Sequence, residues 1–210
     1  VMAGYLVSGH YDMVNNEVVM DMTRLTAIPM GLNIPNISEE TIVIDGGQVI
    51  TISEVNGRNL NPTPQGKIFN AELVFLGTIP VPNIEYRVTD ATIVDAQKRF
   101  WVINYFYPPE WDKLKPVVDP ELVKFGDPAT FDRGACIERL LELQIVRTCW
   151  SGDVIERTET PPVNLEILPG NVCRNWEALV RLDDRGFLLM TDTYPGTLLA
   201  FVPYSFDEQE

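Results

Sequence analysis

Histidine occurs once in the 210 residues, and the three cysteines, Cys136, Cys149 and Cys173, show no CxxC spacing. A zinc site of the usual Cys/His kind is nearly excluded. Structural thiols are the simplest reading; a disulfide such as Cys149 to Cys173 is the alternative for an exported protein, with the odd cysteine left free. Positive charge is scarce too. Lysine and arginine total 16 against 30 aspartate and glutamate, a net charge of −14 and a pI near 4.4. That is the wrong sign for tracking phosphates, so nucleic acid is not an expected partner. The longest apolar runs, 100–103 and 198–202, fall far short of the roughly 20 residues of a membrane span, and the chain reads as soluble with no transmembrane segment. It has no GxSxG elbow, HExxH, P-loop or dinucleotide glycine fingerprint. The one imidazole, His10, shares a strand face with Ser8 and Asp12, but same-face neighbours lie about 6.5 to 7 Å apart, too far for a hydrogen-bonded triad. Val1 follows neither an initiator methionine nor a signal-peptide pattern, so the start reads as processed or truncated.

What is present is strand signal. Hydrophobic residues make up 45 % and charged residues 22 %, ordinary globular values. Almost every apolar segment is short, rich in Val, Ile, Thr and aromatics, and bounded by Gly, Pro, Asn or Asp. The pattern predicts strands over 5–10, 17–22, 41–44, 49–54, 67–75, 84–88, 91–94 and 100–106, then 137–143, 154–157, 163–167, 178–182, 187–191 and 197–202. Residues 136–143 have a helix-forming composition, but their place in an internal repeat favours strand.

That repeat is the strongest signal in the chain. Arg87, Asp90, Phe100, Tyr107 and Pro108 recur as Arg174, Glu177, Phe187, Tyr194 and Pro195, each 87 positions later. A weaker copy sets Glu40, Asp45 and Ile50 opposite Asp90, Asp95 and Phe100 at an offset of 50. Each copy reads as an acidic residue, a strand, an Asp/Gly turn, two more strands and a fourth introduced by prolines. Four antiparallel strands per unit is the blade of a β-propeller, and the copy over 40–86 spans 47 residues, a blade's length. The expectation is an all-β chain, 1–210 forming one propeller of about four visible blades or a fragment of a larger one, with an insertion at 108–134. A β-sandwich with coincidental repeats is the alternative.

In a propeller the first strand of each blade lines the central channel, which would bring Glu40, Asp90 and Glu177 to one mouth. Three converging carboxylates repel unless a cation sits among them, and calcium, with its oxygen ligands, is the expected ion. Glu54, Asn56, Asn59, Asn104 and Asp192 are placed to complete its shell. The alternative is a set of acids capping turns. Glu177 and Asp192 also form a carboxylate pair suited to hydrolysis.

These residues carry a resemblance as well. Residues 175–183, Asn-Trp-Glu-Ala-Leu-Val-Arg-Leu-Asp, followed by Gly-Phe-Leu-Leu-Met-Thr-Asp over 186–192, are similar to the blade motif of the phytase-like, esterase-like β-propeller proteins of bacteria. Residues 86–90 and 100–105 fit the same motif, although Asn104 stands where the closing Asp is expected. The resemblance implies a propeller with a metal-dependent hydrolytic activity, or no established activity at all; the expected reaction is hydrolysis of an ester or phosphoester, and the expected location of the secreted chain is extracellular or periplasmic. Carried over residue by residue, it points to Glu177 and Asp192, then to Asp90 and Asn104, then to Glu54 and Asn56. The competing expectation is a non-catalytic propeller that binds a protein or glycan.

The insertion at 108–134 contains five prolines, which argue against regular structure there. Long loops in compact domains tend to carry function. Trp111 and Phe125 are candidate ligand contacts, and Tyr105, Tyr107 and Trp101 add the aromatic density that sugar sites have; Asn175 and Asn104 are candidate polar ligand contacts beside them. Cover for a sheet edge and core packing are the alternative readings of the loop and of these aromatics.

Overall fold

The computed structural model describes residues 3–126, 132–148, 152–166, 170, 172–192 and 196–206. The chain is mostly antiparallel β, arranged in several sheets. Strands β1 (Tyr5–Asp12) and β2 (Glu17–Ala27) form a hairpin. Its turn is closed by Asp12, whose carboxylate accepts from the Val14 and Asn15 N–H groups at 2.8 and 3.3 Å. Asp12 is therefore a turn residue and not a partner for Ser8 and His10.

The next sheet runs β3 (Glu39–Asp45), β4 (Gln48–Ser53), β5 (Gln65–Phe69) and β6 (Phe75–Pro80) in sequence order. Gly46 and Gly47, at φ 54° and 84°, make the two-residue turn between β3 and β4, a conformation that glycine adopts without a Cβ penalty. The strand expected over 67–75 is broken in the middle. Asn70 Oδ1 accepts from Glu72 and Val74 N–H at 3.1 and 2.8 Å, and Leu73 takes φ 61°, so five residues that read as strand turn the chain back.

The third sheet is ordered β7 (Arg87–Ala91), β8 (Arg99–Phe106), β9 (Ile137–Thr148) and β10 (Gly152–Arg157), with the short β11 (Val163–Asn164) on the first half of β9. The 136–143 segment is thus strand, as the repeat requires. Residues 84–86 and 92–94 lie outside β7. Three strands, β12 (Trp176–Leu182), β13 (Gly186–Thr191) and β14 (Leu199–Pro203), form the last sheet. The insertion is more regular than its prolines suggest. A 3-10 turn at Pro108–Glu110 leads into α1 (Trp111–Leu114), and α2 (Pro120–Phe125) follows. Pro120 sits in the first turn of α2, where the missing N–H is no loss, and the Asp119 carboxylate caps that turn through Glu121 N–H at 3.0 Å.

The first strands of these three sheets lie side by side. Val88 N–H donates to Glu54 O at 2.8 Å, and Thr89 Oγ1 donates to Trp176 O at 2.8 Å, joining β7 to the β4 end on one side and to β12 on the other. One apolar cluster, including Ile50, Ile52, Phe100, Val102 and Leu141, fills the space between the second and third sheets. Another, built on Trp101, Leu140, Trp176 and Phe187, fills that between the third and fourth. Trp101 is 2 % exposed and packs edge-on against Phe187 and Tyr204 at 5.2 Å, so it belongs to the core and not to a sugar platform. Among the described residues no helix is long and apolar enough to cross a membrane.

Candidate functional site

Each of the three first strands carries an acidic residue at a fault in the ladder. In β3, Glu39 pairs with Ser53 and Thr41 with Ile52, leaving Glu40 unpaired; in β12, Trp176 pairs with Thr191 and Ala178 with Met190, leaving Glu177 unpaired. In β7 the same shift falls between Val88 and Ala91, around Asp90. A bulge re-aims the side chain of its extra residue, which is how an acid at the start of a strand is directed out of the sheet. The 50- and 87-residue offsets therefore mark equivalent places in three strands.

The side chains at those places have different surroundings. Glu40 and Glu177 line a cavity of about 500 Å³ together with Glu54 and Asp192 from the ends of β4 and β13. Asp90 is turned to structural use: its carboxylate accepts from Ala91 N–H at 2.8 Å and from Leu179 N–H at 2.7 Å, stitching β7 to β12. Burial raises its pKa, against those two bonds. Asn104, the counterpart of Glu54 and Asp192, is fully buried; its Nδ2 donates to Glu85 O and Arg87 O, and its Oδ1 accepts from Arg139 Nε at 2.8 Å. Asn56 and Asn59 likewise bond to backbone carbonyls, of Ser53 and Lys115.

Of the residues expected to touch a ligand, Tyr105 and Asn175 line the cavity. Trp111 instead packs edge-on against Phe106 at 5.9 Å, with Arg133 over its ring. Phe125 lies under Arg157 and Lys124. Three charged residues that sequence reasoning did not assign complete the walls: Arg87, Glu110 and Arg174. The arginines are the first members of the 87-residue repeat, a signal that was open to reading. Glu110 comes from the insertion and has no counterpart in any copy.

Both arginines are committed to carboxylates. The Arg87 guanidinium is held between Glu54 Oε1 and Glu110, with Nε to Glu110 Oε2 at 2.6 Å. Burial pushes the Glu110 carboxyl up, but the Arg87 bonds and charge overcome it and hold it below the ordinary value. Arg174 Nε donates to Glu138 Oε2 at 2.8 Å, its backbone N–H to Glu138 Oε1 at 2.7 Å, and Trp176 Nε1 to Glu138 Oε2 at 2.7 Å. A single buried carboxylate thus fixes Arg174 and Trp176, the residues on either side of Asn175 and next to Glu177.

Among the described residues Glu177 forms no ion pair, although the Arg87 charge reaches it and lowers its pKa slightly. Half-burial, then the charge of Glu40, raise its pKa to about 7, with Asp192 adding to the rise and the Asn175 side chain opposing it. Burial raises the Glu40 carboxyl as well, while Arg87 and Lys113 pull it back. A carboxylic acid whose pKa is raised to about 7 on the wall of a cavity is a candidate for acid–base catalysis.

The donor set for calcium at Glu40, Asp90 and Glu177 does not close. Asp90 is engaged by two backbone N–H groups, and among the described residues no three His, Cys, Asp or Glu side chains stand close enough together to hold a metal ion.

The cysteines pair differently from the Cys149 to Cys173 alternative. Cys136, just before β9, is bonded to Cys173, 37 positions away, with Cα atoms 5.5 Å apart. Cys173 itself lines the cavity; Cys149 lies outside the described residues, as do Tyr194 and Pro195 of the repeat. The bridge joins the strand that carries Glu138 to the segment that Glu138 holds. Reduction with dithiothreitol should lower unfolding stability in urea by about 2 to 4 kcal/mol. An unchanged midpoint would show that the Glu138 bonds suffice.

The chain matches no protein-family model and no curated protein.

Proposed function

We propose that this chain is a propeller-type hydrolase of carboxylic esters with Glu177 as its general acid. The observation that carries the reading is a carboxyl with a pKa of about 7, set at a strand bulge on the wall of a 500 Å³ cavity. Support for blades comes from β3, β7 and β12, three first strands in contact, each faulted at its acidic residue. The Cys136–Cys173 bridge favours an oxidising compartment, extracellular or periplasmic.

In this reading water adds to the ester carbonyl carbon as Asp192 takes its proton. Glu177 then gives its own proton to the departing alkoxide oxygen, releasing the alcohol and the acid, and the proton on Asp192 returns to Glu177. Phosphoesters fit less well, because five carboxylates line the cavity and both of its arginines are already paired, so a phosphate meets repulsion without a free guanidinium.

A panel of carboxylic and phosphate esters, assayed from pH 4 to 9, tests the proposal. Carboxylic esters should turn over, with an alkaline limb near pH 7 as Glu177 loses its proton. A panel inert at every pH would overturn it in favour of a non-catalytic module that binds a protein or glycan.

A further inference from the structure

We infer that the cavity is built to take the cationic group of its ligand, a quaternary or protonated amine, so that the favoured substrates are esters carrying such a group. The inference rests on the hydrolase reading for the word substrate and on the cavity alone for the cation.

The first ground is the charge on the walls. Glu40, Glu54, Glu110, Glu177 and Asp192 face two guanidiniums, and Arg174 is neutralised from outside the cavity by Glu138. Independent of that excess is Glu54. It lines the cavity, is 1 % exposed, and its Oε2 has no hydrogen-bond partner among the described residues, although Oε1 is paired with Arg87. A buried carboxylate oxygen without a hydrogen bond costs free energy, and a positive charge in the adjoining cavity would offset part of that cost through space.

Size and shape separate an organic cation from a metal ion. The carboxylates are distributed around some 500 Å³ instead of converging, and no three acids among the described residues meet at ion-ligating spacing. The rings of Tyr105 and Tyr107 stand on the same walls, and an ammonium group over a tyrosine face gains an attraction that a hydrated divalent ion does not use.

The test is calorimetric titration of the full chain at pH 8 with choline and with its neutral isostere, 3,3-dimethylbutan-1-ol. Choline should bind at least about tenfold more tightly, and the preference should shrink to near unity in Glu40→Gln. Glu54→Gln should shrink it further; because that change also strips Arg87 of a partner, Glu40→Gln decides the case if it fails to fold. Equal affinities, a preference that survives Glu40→Gln, or one equivalent of calcium that binds and shuts choline out would each overturn the inference. Acetylcholine and 3,3-dimethylbutyl acetate as substrates keep the two readings apart. Choline selectivity with both esters inert refutes the hydrolase alone, whereas equal kcat/KM on both esters without choline selectivity refutes the cation site alone.

Discussion

Replacing Glu177 by glutamine should lower ester hydrolysis by about 100- to 10,000-fold and at the same time make the protein more stable above neutrality. The two effects share one cause. The folded value of about 7 lies above the ordinary 4.5 of a glutamic acid, so between these values the folded chain holds a proton that the unfolded chain has released. Stability from this group is therefore fully present below about pH 4.5 and is lost as pH rises through 7, where half-burial and the Glu40 and Asp192 charges act on a carboxylate. Glutamine never ionises. After allowance for solvent screening at this half-exposed side chain, the variant should exceed the wild type by about 1 to 2 kcal/mol at pH 8, or roughly 2 to 8 °C in Tm, and match it at pH 4.5. Thermal melts at the two pH values check the stability, and kcat at pH 6 checks the chemistry. Equal melting at both would show that Glu177 ionises without penalty, and the argument for it as the acid would fail with that.

The acids of the cavity come from places where the β pattern is broken, and that decides what the sequence can reveal. Repetition made Glu40, Asp90 and Glu177 visible, because equivalent bulges need equivalent residues at equivalent spacing. It could not say which of the three would face the cavity. Asp90 differs from Glu177 through its neighbour: β12 presents the Leu179 N–H to it, a long-range contact with no trace in local pattern. Glu110 was hidden for a related reason, since its role depends on the insertion folding back to Arg87, across 23 positions. Strand content is legible from alternation and turn residues, yet 67–75 reads as one strand, because Leu73, Val74 and Phe75 continue the apolar signal past Asn70, and the side-chain and backbone bonds that reverse the chain there, with Leu73 in the left-handed region, leave little mark on the pattern. The short helices of the insertion are masked in the sequence by its prolines, yet Pro120 occupies the one helical turn that tolerates it.

The largest loss of stability is expected at a pair that sequence reasoning did not single out. Asp119, fully buried, receives Arg139 Nη1 at 2.6 Å and Nη2 at 3.1 Å, while Arg139 Nε reaches Asn104 and the guanidinium lies over the Tyr86 ring. The pair ties the insertion to the start of β9 and, through Asn104, to β8. Asp119→Ala leaves a buried guanidinium with only an amide oxygen and a ring for company, and removes the cap of α2 as well. The cost should be about 3 to 5 kcal/mol for the uncompensated charge, with a further ~1 for the cap. Together, about 4 to 6 kcal/mol corresponds to a fall in Tm of roughly 8 to 24 °C, measurable by calorimetry. Asp119→Leu combined with Arg139→Met should recover much of the loss, because two apolar side chains of suitable volume carry no desolvation penalty. A double variant as unstable as Asp119→Ala would mean instead that the pair acts through the geometry it imposes on Asn104 and the first turn of α2, and that apolar packing cannot replace its hydrogen bonds.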